Sequence, residues 1–174
     1  MSFYSLRVAI VETRYDVPGW GSGELWRSGD LVLANDFRFH NGHVPGSDPV
    51  SGPSSHGREG GGDELVARFR AFLRGDRVSF EDVPIDLSWA TPFQRALVDA
   101  LRTVPRGDVV SYGELAALAG RPTAPRAAGA LCAANRFAFV VPCHRVVAAH
   151  GIGGYGSAGV EVKRRLLALE GVVL

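Results

Sequence analysis

Ser111–Ala134, SYGELAALAGRPTAPRAAGALCAA, decides how the second half of this chain folds. Ser111 followed three residues later by Glu114 is a capping box, in which side chain and backbone satisfy each other's free donors at a helix start. It opens a helix over Tyr112–Ala119 that stops at Gly120, the residue type that best tolerates the left-handed backbone at a helix end. Thr123 is predicted to cap a second helix, Ala124 to about Ala134. Gly120-Arg121-Pro122-Thr123 then joins the two as a helix-turn-helix. The second helix carries Arg126 but otherwise only small residues, Ala127, Ala128, Gly129 and Ala130. A helix that reads bases in the major groove needs several long polar side chains. A nearly bare helix suits close approach to the narrower minor groove, and equally suits tight packing against another helix.

On the N-terminal side, Thr91-Pro92-Phe93-Gln94 is a second capping box with proline at the first helical position, and predicts a helix to about Thr103. On the C-terminal side lies Phe139–Val147, with Pro142-Cys143-His144-Arg145-Val146 at its centre. A thiol attacks only as its thiolate, so a neighbouring base governs a cysteine's reactivity. Adjacent side chains usually point apart, so Cys143 and His144 need a water or a tight turn to connect them. In isolation the pair reads as a structural thiol beside a surface histidine, and it is the flanking sequence that changes this reading. A last helix, Val160–Leu169, ends at Glu170-Gly171. A carboxylate at a helix C-terminus is electrostatically unfavourable and calls for a cationic partner, for which His144 or Arg145 is placed.

The first half has a different texture. Ser5–Thr13 and Asp30–Asn35 read as strands, with a short strand near Glu24–Arg27 and a turn at Ser28-Gly29-Asp30. Residues 39–62, rich in Gly, Ser, Pro and His, read as a long mobile loop. His40, His43 and His56 fall in it without ligand-like spacing, so no metal site is expected. Asp63 caps a helix through Arg74, stopped by Gly75, with Leu65, Val66, Phe69, Phe72 and Leu73 on its apolar face. Val83–Leu87 reads as a strand or linker. No constellation in this half carries chemistry. The expected fold is mixed α/β (α+β), with a strand-and-helix N-terminal domain over 1–87 and a mainly helical C-terminal domain over 88–174 that holds the helix-turn-helix and the cysteine.

Charge divides at the same boundary. Residues 1–87 hold nine arginines against thirteen carboxylates, and residues 88–174 hold ten cations against five. The net charge of +1 thus conceals halves of −4 and +5, the basic half pointing modestly to a polyanion. The 174 residues suffice for a real core, and their composition is that of an ordinary globular protein. No apolar run reaches membrane-spanning length, and the N-terminus lacks a signal peptide's apolar core. The two cysteines, Cys132 and Cys143, make no disulfide framework and fit a reducing cytoplasm. Cys132, in an alanine-rich helix, reads as a buried core thiol.

Taken together, these residues resemble the O6-alkylguanine-DNA alkyltransferase family. The likeness runs over about residues 90–171 and rests on five elements in order. They are Ser111-Tyr112-Gly113-Glu114-Leu115-Ala116, the arginine-bearing helix, Asn135 ahead of an active-site strand, Pro142-Cys143-His144-Arg145-Val146, and Leu166-Leu167-Ala168-Leu169-Glu170-Gly171. The resemblance implies direct-reversal DNA repair in a single turnover. Cys143 would take the alkyl group from guanine O6 and keep it as a thioether, so no external cofactor is implied. His144 would act as base through a water, with Glu170 orienting it, and Asn135 would hold the turn around the site. Tyr112 would help rotate the target nucleotide outward and protonate the leaving guanine at N3. Arg126 would fill the space left in the duplex, with Thr123, Ala127 and Gly129 along the minor groove. Pro142, Val146, Tyr155, Ser157 and Lys163 would form the substrate pocket. The implied partner is double-stranded DNA bearing O6-alkylguanine, met by a monomer and away from any membrane.

The chain departs from the family's pattern at two places. Arg136-Phe137-Ala138 stands where relatives commonly run Pro-x-Pro, and Gly154-Tyr155-Gly156 comes one position early. The N-terminal cysteines that hold zinc in some relatives are missing. Three other readings compete with alkyl transfer. A lesion sensor would lack the reactive cysteine, a helix-turn-helix regulator would bind DNA with strong sequence selectivity, and a cysteine hydrolase would turn over repeatedly and have no use for Arg126.

Overall fold

The computed structural model describes residues 9–40 and 63–174. The first part of the predicted strand Ser5–Thr13, almost all of the predicted mobile loop 39–62, and His43 and His56 lie outside the described residues.

Three antiparallel strands, β1 (Ile10–Val17), β2 (Gly21–Ser28) and β3 (Leu31–Phe39), form a meander in the order β1-β2-β3. The turn at Gly29 and Asp30 falls where the sequence places it, but β2 and β3 are longer than predicted and β1 ends later. β1 runs four residues past Thr13, because pairing with β2 extends it from Ile10 opposite Ser28 to Val17 opposite Gly21. Its apolar start, Ile10 and Val11, is exposed, whereas Tyr15 and Val17 are buried. The inward face is therefore set by the register with β2, not by local hydrophobicity. Gly23 sits opposite Tyr15, and a Cβ there would lie 2.3 Å from the tyrosine ring, so the ring can lie flat across the sheet only because this residue is glycine.

Helix α1 (Glu64–Leu73) follows the prediction, with Asp63 accepting from the Leu65 N–H and Arg74 at the C-cap. It lays Phe69 on Tyr15, ring centroids 5.7 Å apart. Residues 83–87 form a linker, not a strand. One parallel bridge joins Ile85 to Val32, where the Val32 N–H donates to Pro84 and its carbonyl accepts from Asp86. Helix α2 (Pro92–Arg102) opens with the predicted capping box, Thr91 and Gln94 both bonded. Arg102 ties α2 back to the first half by donating to the carbonyls of Phe80, Glu81 and Val83.

A two-residue strand, β4 (Val110–Ser111), leads into α3 (Tyr112–Leu118) through the Ser111–Glu114 capping box, followed by α4 (Pro125–Ala133). One expectation fails here. The N-cap of α4 is Ala124 and no side chain caps it, while Thr123 is exposed. Pro125 explains this: proline is favoured at the first helical position, so the residue before it, Ala124, becomes the N-cap, and its methyl side chain has no acceptor to offer. After α4 come a 3-10 turn (Cys143–Arg145), strand β5 (Val146–Val147), parallel to β4, and the last helix α5 (Gly159–Leu169).

One apolar cluster underlies these elements. Phe139 stands at its centre, 5.1 to 5.6 Å from the rings of Phe37, Phe69 and Phe72. It joins the sheet, α1 and the segment that carries Cys143.

Candidate active site

No strand leads directly into the cysteine; the segment 137–145 is a chain of tight turns. The Val141 N–H donates to Phe137, the Val140 N–H to Ala138, the Cys143 N–H to Val141, and the Arg145 N–H to Pro142. The bond from Val140 to Ala138 closes a γ-turn around Phe139, whose φ is +68°. A bulky residue in that region carries strain of about 1–3 kcal/mol, which persists only where its surroundings over-determine it. Pro142, with φ −80° and ψ 62°, forms the commoner γ-turn of opposite hand. The two turns reverse the chain so that Cys143 faces a cleft while His144 is buried behind it.

The cleft has a volume of about 300 Å³. Three parts of the chain meet in it: β3 through Asn35 and Phe39, the helix pair through Tyr112 and Gly129, and the 154–158 loop through Tyr155 and Ser157. Asn135 and Cys143 lie at their junction. The Asn135 side-chain amide donates to Cys143 Sγ at 3.1 Å and to the Val141 carbonyl at 2.9 Å. Its Oδ1 accepts from the Phe137 N–H at 3.0 Å. The Tyr155 hydroxyl stands 4.0 Å from Sγ. Burial pushes the Cys143 thiol up, while its hydrogen bonding with Asn135 and Tyr155 and the charge of Lys163 act the other way.

Behind the thiol the charged groups form a closed chain. His144 Nε2 lies 3.0 Å from Glu170 Oε1, both side chains being almost wholly buried. Arg145 grips the same carboxylate with two parallel bonds, Nε to Oε2 at 2.9 Å and an Nη to Oε1 at 2.8 Å, and also donates to the Val104 carbonyl. Both partners foreseen for the carboxylate at the helix end are therefore present. Burial pushes the Glu170 carboxyl up, but the bonds from His144 and Arg145 and the charge of the guanidinium outweigh it and hold the group at about 2. Burial lowers the His144 imidazole, against the opposing pull of Glu170, so it rests neutral. His144 Nδ1 is buried without a partner among the described residues. A neutral imidazole with one nitrogen free and the other anchored to a carboxylate is equipped to accept a proton.

The remaining expected site residues divide by location. Lys163 is fully buried, its ammonium donating to the carbonyls of Val146 at 2.6 Å and Gly154 at 3.1 Å, and so ties β5 to the loop over the cleft. Val146 itself is buried, and its N–H is committed to Cys143 O. Pro142 lines a separate 90 Å³ cavity with Arg102, Arg106 and Arg145. Thr123, Arg126 and Ala127 are exposed at the start of α4, outside the cleft, while Gly129 lies against Tyr112, where a Cβ would come within 3.8 Å of the ring. Burial raises Tyr112, which keeps its phenol protonated. Cys132 is a correction: it is only half-buried and lines the cleft beside Cys143, its thiol pushed up to about 12 by burial.

The first half contributes to the cleft as well, which no motif in it announces. Asn35 and Phe39 on β3 form one wall of the cleft, and Asn35 is buried. The available signal was the period of two: Asn35, Phe37 and Phe39 alternate along one face, and an asparagine at an inward position requires a reason.

A thiol held by an amide donor, backed by a neutral imidazole and opening beside a helix-turn-helix, defines a cysteine-nucleophile protein built on a DNA-binding scaffold. The comparisons with known proteins agree. Residues 92–172 match the family described as 6-O-methylguanine DNA methyltransferase, DNA binding domain. The chain is 34% identical over 177 residues to the methylated-DNA--protein-cysteine methyltransferase of Rattus norvegicus, a match covering 94% of this chain and 84% of the relative. It is 40% identical over 111 residues to the protein of that name from Methanothermobacter thermautotrophicus, covering 64% of this chain and 62% of the relative, just under two thirds of its length. Among solved structures it is similar to Mycobacterium tuberculosis OGT in complex with DNA, at 34% identity, 90% of each chain and a TM-score of 0.70. The chain belongs to the methylated-DNA--protein-cysteine methyltransferase family.

Proposed function

We propose that this protein repairs DNA by direct reversal, moving an alkyl group from O6-alkylguanine in a duplex to Cys143 once per molecule. The observation that carries this reading is Cys143 Sγ, bonded to Asn135 at the floor of a cleft that Tyr112 and Gly129 of the helix pair also line. His144 takes the thiol proton at Nδ1 through a water, and Glu170 stabilises the imidazolium that results. The thiolate attacks the alkyl carbon, the bond from that carbon to O6 breaks, and the thioether stays on the protein. Tyr112 delivers a proton to N3 of the departing guanine.

The exposed start of α4 supports binding along the minor groove, with Arg126 entering the duplex where the nucleotide leaves it. Tyr155 and Ser157 border the extruded base, and Lys163 acts from beneath by fixing their loop. The protein works as a monomer in a reducing compartment, the cytoplasm, where Cys143 stays a free thiol. The chain divides near residue 87 into a supporting N-terminal domain and the domain that binds DNA and reacts. Among the described residues no helix is long and apolar enough to cross a membrane.

The test is the mass of the intact protein after mixing with excess duplex containing one O6-methylguanine, followed by peptide mapping. A single methyl on Cys143 with no second turnover is expected. Lesion binding without modification would make the protein a sensor, sequence-selective binding a regulator, and repeated turnover a hydrolase.

A further inference from the structure

Among the described residues four polar or charged residues are buried as a whole: His144, Lys163, Glu170 and Asn35. The first three belong to the site already described. Asn35 comes from the middle of β3, a hundred residues earlier in the chain. Burying an amide is costly unless its groups are bonded, and an apolar residue of similar shape would avoid that cost. Its partners indicate what it does. Oδ1 accepts from the Tyr15 hydroxyl at 2.8 Å, and Nδ2 donates to the Ala138 carbonyl at 2.9 Å. Its backbone N–H donates to Arg136 at 2.7 Å, and its carbonyl accepts from Ala138 at 3.0 Å. All three bonds to the second half land on residues 136–138, which contain no proline to fix their own backbone.

The Ala138 carbonyl also accepts the Val140 N–H that closes the γ-turn around Phe139. Asn35 therefore holds one end of the strained turn that aims Cys143, while Phe37 and Phe39, on the same face of β3, hold its aromatic ring at 5.1 and 6.2 Å. We propose that Asn35, buttressed by Tyr15, is a positioning residue for alkyl transfer: through Ala138 it fixes the turn that places Cys143 Sγ against the Asn135 donor. The first half is thus part of the reactive machinery without touching the reacting atoms. This inference rests on the transfer activity proposed above.

Two variants of the full-length protein test it. Asn35→Ala removes the clamp, and Tyr15→Phe removes only the hydroxyl that orients it, so the second remains informative should the first fail to fold. Three quantities are measured: the single-turnover rate on duplex O6-methylguanine, the affinity for that duplex in a Cys143→Ala background, and the pH profile of Cys143 alkylation by iodoacetamide. Asn35→Ala is expected to slow transfer by about ten-fold or more and to move the iodoacetamide profile to higher pH. Tyr15→Phe should do the same to a smaller degree, and duplex affinity should stay within about two-fold in both. A lower melting temperature with transfer rate and pH profile unchanged would reduce Asn35 to a structural contact and overturn the proposal. Loss of affinity in step with rate would overturn it too. Should the unsubstituted protein transfer nothing, the functional reading fails, whereas the iodoacetamide profile still decides the role of Asn35.

Discussion

Glu170 shows how much one side chain can carry. It ends a helix where a negative charge is unwelcome, yet it is buried and ionised because a guanidinium grips it and an imidazole faces it. Replacing Glu170 with Gln keeps the shape and removes the charge, leaving the Arg145 guanidinium without its counter-ion. Loss of one partner from a buried pair costs about 3–5 kcal/mol, and urea unfolding at neutral pH should show a destabilisation of that size. The same group sets the response to acid. Its folded value of about 2 lies below the ordinary glutamate value, so its contribution is complete above that ordinary value and is lost as pH falls towards 2. His144 acts in the same direction: buried neutral in the fold, it takes up a proton on unfolding once pH drops below about 6.5. Stability should therefore decline steadily from slightly acidic pH downwards, with a shallower slope in Glu170→Gln. A pH-independent melting temperature between neutrality and pH 3 would contradict both assignments.

At the scale of elements, α3 and α4 perform two tasks with different residues. Tyr112 and Gly129 face the cleft, whereas Arg126 and Ala127 face outward from the first turns of α4. The division yields a separable prediction. Arg126→Ala should leave reaction with free O6-methylguanine base unchanged and slow reaction in duplex DNA, since only the duplex needs the vacated space filled. Single-turnover rates on the two substrates measure this, and equal rates in duplex would remove Arg126 from the mechanism. The capping boxes at Thr91 and Ser111 were readable because they depend on side chains three residues apart. The turns from Phe137 to Arg145 were not, since no local propensity favours a phenylalanine at φ +68°. That conformation is held by β3 and by an aromatic cluster drawn from both halves of the chain.

For the molecule as a whole, the thiol and the core are one structure. Among the described residues Sγ has one short bond, to Asn135, and the turn that carries it leads through Phe139 to the main apolar cluster. A methyl group on that sulfur displaces the Asn135 donor and crowds the turn; overpacking of this kind costs typically about 1–3 kcal/mol. Protein alkylated on Cys143 should therefore melt at a lower temperature than the free thiol form, as scanning calorimetry on the two preparations would show. Equal melting temperatures would mean that the cleft takes up the methyl without strain.

The sequence by itself determined what local chemistry can encode: helix starts and stops, the helix-turn-helix with its bare second helix, the reactive cysteine, and the need of Glu170 for a cationic partner. All of these are decided by residues within a few positions of one another or by motifs of fixed spacing. Tertiary structure alone decided that Arg145 and His144 both meet Glu170, that Cys132 opens into the cleft, and that Asn35 clamps the active-site turn. Each joins residues distant in sequence, and burial turns those meetings into strong interactions. The extent of β1 belongs with them, because a strand's length and inward face are set by its partner's register, which its own residues do not carry.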